Sequence, residues 1–131
     1  MTDPLTGQED VAPRVDHDGA ALIATAHAMA DAARAAILPY FRNARLRTDD
    51  KGIGRFDPVT EADRAAEAAM RAVLAEHRPN DAILGEEEAA KPGTSGLTWV
   101  IDPIDGTRAF ISGTTSWGVL IALCDADGPI Y

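Results

Sequence analysis

The densest chemical signal is the stretch Trp99-Val100-Ile101-Asp102-Pro103-Ile104-Asp105-Gly106-Thr107-Arg108. An apolar run delivers two carboxylates three positions apart, with a proline between them. In α/β folds, ligand sites collect at the C-terminal ends of strands. Pro103 fixes its own φ and pushes Asp102 toward extended backbone. The spacing therefore predicts a stiff turn that aims both carboxylates and the Ile104 carbonyl at one point. Donors that are all oxygen suit a hard cation, Mg²⁺ above Zn²⁺. Gly106 permits close backbone approach. The amides after it are expected to open a short helix, where a phosphate can be held. Thr107 adds a hydroxyl. Paired cations next to an anion hole suit in-line attack of water on a phosphate ester.

Two further acidic segments lie upstream. Gly85-Glu86-Glu87-Glu88 follows the short apolar run Ala82-Ile83-Leu84, so its first carboxylate can reach the same sheet edge. Asp57-Pro58-Val59-Thr60-Glu61-Ala62-Asp63 contains Thr60-x-x-Asp63, a capping-box pattern. Two like charges about 4 Å apart repel by roughly 4 kcal/mol at an effective dielectric near 20. Three converging carboxylates would strain a marginally stable fold unless a cation or protons neutralised them.

Each of these residues also has an ordinary reading. Asp102 and Asp105 could belong to a plain Asp-Gly turn after a strand. Glu86–Glu88 could be a solvated acidic loop, the simplest account of Glu88. Asp63 could serve only the helix cap, and Arg108 could be a surface cation. His17, His27 and His77 have no partner at metal-ligand spacing. Cys124, Trp99 and Trp117 are expected in the core.

The elements that must position these groups can be read from apolar spacing. Residues 1–18 carry two prolines, many charges and no apolar period, which predicts a disordered tail. Residues 19–131 form the rest. From Gly19, the residues Leu22, Ala26, Met29, Ala33 and Ile37 mark one face of a helix, with Asp18 as N-cap and Pro39 near its end. Arg45–Phe56 alternates weakly and suggests a short hairpin or irregular strand pair. A second helix is expected after the N-cap Thr60, with Ala62, Ala66, Met70 and Val73 on one face and its end near His77. Ala82–Leu84 reads as a strand and Lys91–Gly96 as a loop. Trp99–Ile101 reads as a buried strand ending at Asp102. Trp117–Cys124 is a longer strand, and Asp125–Pro129 a hairpin turn into Ile130-Tyr131. The fold class is α/β, an α+β layered sandwich with two long helices on a mainly antiparallel sheet.

Composition narrows the partners. The 131 residues carry a net charge of −9, against a nucleic-acid or anionic-membrane surface. Cations held by the protein can still invert that charge for an anionic substrate. The single Cys124 excludes an internal disulfide and a cysteine-based zinc site, and suits a reducing cytoplasm. Residues 1–18 are polar where a signal peptide has its apolar region. Gly19–Leu38 contains His27, Asp31 and Arg34, which favours an amphipathic helix over a membrane span.

Three segments, Asp57–Arg64, Gly85–Glu87 and Trp99–Gly113, resemble in order and spacing the N-terminal signatures of the inositol monophosphatase family. The Asp-Pro-Ile-Asp-Gly-Thr stretch is the specific one. The continuation Arg108-Ala109-Phe110-Ile111-Ser112-Gly113 is similar to the histidinol-phosphatase branch. The resemblance implies two or three Mg²⁺ ions, with Mn²⁺ as an alternative. It implies that Glu86 holds the first ion and helps orient the attacking water, that Asp102 bridges two ions, that the Ile104 carbonyl completes the first site, and that Asp105 holds the second ion. Thr107 would orient or deprotonate the water, with Asp63 hydrogen-bonded behind it. The Gly106 and Thr107 amides would hold phosphate beside Asp102, Ile104 and Asp105, and Arg108 would contact substrate. Glu87 and Lys51 would sit outside these ligands.

The family has a further Trp-Asp signature downstream, and Trp117 is followed here by Gly118. The chain is therefore expected to match an N-terminal half, to bind Mg²⁺ weakly by itself and to turn over little substrate. The implied reaction is hydrolysis of L-histidinol phosphate in histidine biosynthesis, with an inositol-1-phosphate or broader sugar-phosphate phosphatase as the alternative. A truncated, non-catalytic chain is the reading from another class. The expected partner is a small phosphate monoester, with no nucleic acid and no membrane. An open sheet edge and the habit of relatives allow a homodimer.

Overall fold

A computed structural model describes residues 18–42 and 58–131, apart from the side chains of Pro58 and Thr60. The expected tail over residues 1–17, the expected hairpin Arg45–Phe56, Lys51, Asp57 and His17 lie outside the described residues.

Helix α1 spans Gly19–Ile37 and is capped as its sequence predicts: the Asp18 carboxylate accepts the Ala21 amide at 3.3 Å. A 3₁₀ turn, Leu38–Tyr40, takes up Pro39 at its end. The buried stripe of α1 is Leu22, Thr25, Met29, Ala33 and Ile37, with Ala26 only partly covered. Gly19–Tyr40 is long and apolar enough to cross a membrane by length and composition. Its apolar stripe is instead spent on protein, since α1 packs chiefly along helix α2, Pro58–His77.

Helix α2 starts earlier than expected: Thr60 lies inside the helix and is not its N-cap. The reason is Pro58, whose fixed φ is already helical and whose missing N–H costs nothing in the first turn. The buried stripe is Ala62, Ala66, Met70 and Leu74, and it also contains Glu67. Val73 is only partly buried.

The sheet has four strands in the order β1-β2-β3-β4: Ala82–Leu84, Thr98–Asp105, Gly118–Asp125 and Gly128–Pro129. β1 and β2 are parallel, and the other two pairings are antiparallel. A short helix α3, Thr107–Ser112, joins β2 to β3. One sheet face meets the helices: Ile83, Trp99, Ile101 and Leu123 are buried there. Each such side chain contributes about 1.5–3 kcal/mol when fully buried. The alternating residues Leu84, Val100 and Leu120 face outward and are exposed. Cys124 is half-buried.

β2 is longer than expected. It does not end at Asp102 but runs through Pro103 and Ile104 to Asp105. Asp102 pairs with Leu120 and Asp105 with Gly118, so β2 spends three steps where β3 spends two. The extra residue is a β-bulge, one of the few places a strand tolerates proline. The expected stiff turn is therefore a bulged strand.

Candidate active site

The parallel register puts the acidic groups side by side. Leu84 pairs with Val100. Two residues further along stand Glu86, just past the end of β1, and Asp102, inside β2. They meet: the negative charge of Asp102, then partial burial, then the neighbouring Glu87 and a hydrogen bond to Asp102 itself push the Glu86 carboxyl above its ordinary value. One oxygen of Asp102, Oδ1, is buried and has no hydrogen-bond partner among the described residues. A buried, orphaned carboxylate oxygen costs free energy. Facing a second carboxylate, it is the arrangement a hard cation relieves.

The bulge acts on Asp105. In a regular strand, residues three apart point to opposite faces. Gly118 and Leu120 share a face of β3, so their partners Asp105 and Asp102 share one as well. Asp105 is nevertheless exposed, while Pro103 and Ile104 are buried. Among the described residues, no three Asp, Glu, His or Cys side chains are gathered closely enough to hold one ion between them. The structure thus joins Glu86 to Asp102 and leaves Asp105 outside that pair.

Gly106 turns the chain from β2 into α3 at φ 88° and ψ 47°, in the left-handed region that a side chain disfavours. A Cβ there would also lie 2.7 Å from the Ser116 carbonyl oxygen. Its own carbonyl accepts the Phe110 amide at 3.0 Å, the first turn of α3. Thr107 and Arg108 are exposed at the start of that helix. Phe110 anchors α3 through ring contacts with Phe41 and Trp117, at centroid distances of 5.5 and 5.2 Å. Arg42 lies over the Phe41 ring and donates from Nε to the Gly113 carbonyl at 2.7 Å. Asp63 is half-buried near the start of α2, which touches α3. Glu87 is partly buried and 4.0 Å from Arg64, and Glu88 is exposed.

Two residues around the site have no part in the sequence motifs. Glu67 is fully buried and accepts the backbone amides of Glu86, Glu87 and Glu88, each at 3.0 Å. Asp81, also buried, anchors the opposite end of β1 through Arg78, Ser95 and Trp99. Glu67 carried a readable signal: it is a charge within an apolar helical stripe, four residues after Asp63 and four before Arg71.

Comparison with known proteins agrees with this architecture. The profile of the inositol monophosphatase family matches residues 18–131. The chain is 45% identical to a histidinol-phosphatase of Streptomyces coelicolor over 101 residues, which cover 77% of this chain and 37% of that protein. It is 44% identical to a histidinol-phosphatase of Mycobacterium tuberculosis over 84 residues, covering 64% of this chain and 32% of that one. A solved inositol monophosphatase from Zymomonas mobilis superposes with a TM-score of 0.66 at 48% identity, covering 82% of this chain and 40% of that chain. The chain therefore spans 32–37% of the length of these curated relatives. With its matching profile, its bulged Asp-Pro-Ile-Asp strand and its shared fold, the chain belongs to the inositol monophosphatase family.

Proposed function

We propose that this chain carries the N-terminal portion of a divalent-cation-dependent phosphate-monoester hydrolase acting on L-histidinol phosphate. The observation that supports it most is the Glu86–Asp102 pair, with a buried Asp102 oxygen that has no partner among the described residues. Glu86, Asp102 and the Ile104 carbonyl would hold one Mg²⁺ or Mn²⁺, and Asp105 a second. Bound there, the cation supplies Lewis-acid activation of phosphate and water. Thr107 orients the attacking water, and Asp63 holds Thr107. The Gly106 and Thr107 amides take the phosphate oxygens, and Arg108 meets the organic part of the substrate. The water oxygen forms a bond to phosphorus as the ester P–O bond breaks, and the alcohol leaves after taking up a proton. These roles follow from the family resemblance placed on this geometry.

Histidinol phosphate is favoured by the histidinol-phosphatase relatives and by Arg108 and the Ile111-Ser112-Gly113 ending. The 48% identity to the Zymomonas inositol monophosphatase supports a second reading, an inositol-1-phosphate phosphatase. A substrate panel on a protein that carries this sequence and spans the length of the relatives, with Mg²⁺ and with chelator, separates them. Preference for histidinol phosphate is expected, and preference for inositol-1-phosphate would reverse the order. Chelator-resistant turnover would overturn the cation-dependent mechanism. The 131-residue chain alone is expected to show little turnover, because the relatives it matches are far longer.

A further inference from the structure

We propose that Glu67 is the positioning residue of the site, holding Glu86 beside Asp102 by gripping the backbone of the acidic loop. The inference rests on the functional reading above for what Glu86 does. It does not rest on that reading for what Glu67 does.

A buried carboxylate is expensive unless every oxygen is satisfied. Glu67 is 0% exposed and has its partners. Oε1 accepts the amides of Glu86 and Glu87, and Oε2 accepts the amide of Glu88. Arg71 donates from Nε to Oε2 at 3.1 Å, and its Nη2 reaches the Glu88 carbonyl at 3.3 Å. Three successive amides thus converge on one anion, as in the backbone nests that bind free anions. Here the anion belongs to the chain.

The consequence for Glu86 is steric and electrostatic. Three acidic side chains in a row repel one another and Asp102, so side-chain forces alone would splay the loop. With its amides turned inward onto Glu67, the loop is fixed from the backbone side, and Glu86 stays beside Asp102 despite the repulsion. The approach is close enough to exclude any side chain at position 85: a Cβ on Gly85 would lie 2.5 Å from a Glu67 oxygen. The charge on Glu67 matters, because a glutamine would turn an N–H₂ toward Arg71 or toward an amide that needs an acceptor.

The test uses the 131-residue chain and Mn²⁺ as probe. In the unsubstituted protein, the amides of Glu86, Glu87 and Glu88 should exchange slowly with solvent although the loop is largely exposed. Fast exchange would overturn the proposal without any variant. In Glu67→Gln, those three amide resonances should shift while Ile101 and Leu123 in the sheet stay in place. The Mn²⁺ concentration that broadens Glu86 and Asp102 should rise about tenfold or more, the usual scale for losing a group behind a metal ligand. Gly85→Ala keeps every charge and should move the same readouts in the same direction, which covers the case in which Glu67→Gln does not fold. Unchanged Mn²⁺ broadening in either folded variant would overturn the proposal. If the unsubstituted chain shows no Mn²⁺ effect at all, the metal reading fails, and slow exchange at residues 86–88 still upholds the grip of Glu67.

Discussion

The two ends of the parallel pair β1–β2 are built from the same kind of residue and do opposite things with it. At the N-terminal end, Asp81 is 1% exposed and fully answered: Arg78 donates at 2.7 and 3.2 Å, Ser95 Oγ at 2.6 Å and Trp99 Nε1 at 2.9 Å. Lys91 closes the same end through the Pro79 and Asp81 carbonyls, each at 2.9 Å. At the C-terminal end, Glu86 faces Asp102, and an Asp102 oxygen is buried with no partner among the described residues. One end is a completed polar network and the other is not. In a natural protein, an unfinished network is where function is sought. The comparison commits the molecule to opposite responses when acids are removed at the two ends.

The largest expected effect is at the finished end. Asp81→Asn takes the charge from a buried acceptor that Arg78, Ser95 and Trp99 all donate to, and should cost about 3 kcal/mol of stability by urea denaturation. It should leave Mn²⁺ binding unchanged. The pH dependence carries a definite sign. Burial pushes the Asp81 carboxyl up, but the hydrogen bonds of Arg78, Ser95 and Trp99 and the Arg78 charge outweigh it and hold the group below the usual aspartate range. The unfolded chain then binds the proton first, so this stability is complete above the ordinary aspartate value. It is lost as pH falls through the lower, folded value. The gap between the original protein and Asp81→Asn should therefore close in acid. A gap that widens as pH drops would refute the account.

Ser95→Ala should be the next largest. It removes a short bond to a charged acceptor and a second bond, from the Leu97 amide to Ser95 Oγ at 3.1 Å. About 1.5 kcal/mol is expected from thermal or urea unfolding. No change at all would mean that the Asp81 network is less tightly coupled than its geometry indicates.

Much of this was legible beforehand, and the limits have physical causes. Leu22, Met29, Ala33 and Ile37, and Ala62, Ala66 and Met70, announced the two helices because a 3.6-residue period survives any tertiary context. The start of α2 is ambiguous in sequence because Thr60 and Pro58 are both legitimate opening residues, and only packing chooses between them. The Asp102/Asp105 motif was visible, but its bulge was not, since a bulge is defined by the partner strand. That Glu86 stands beside Asp102 depends on the Leu84–Val100 pairing, a register no local pattern encodes. Asp81 escapes because a single sequence marks an acid as polar and does not mark it as buried, whereas the burial of Glu67 is hinted at only by its place within the apolar stripe of α2.

The smallest expected effects lie at the unfinished end and have the opposite sign. Asp102→Asn removes the charge that raises the Glu86 carboxyl, and its new amide can donate to Glu86. Stability should rise, by no more than about 1 kcal/mol, because the charge repulsion is removed while the contact is kept and water already screens the exposed Glu86. Glu86→Gln relieves the same repulsion from the other side. Glu86 is exposed and water screens it, so a gain below about 1 kcal/mol is expected. Both variants should weaken Mn²⁺ broadening of the loop, because each removes an oxygen charge a hard cation needs. Gains in stability paired with losses in cation binding are the signature of groups kept for a ligand and not for the fold. If either substitution instead lowered stability as Asp81→Asn does, the acids at the two ends of β1 and β2 would have the same structural task, and the contrast between them would be gone.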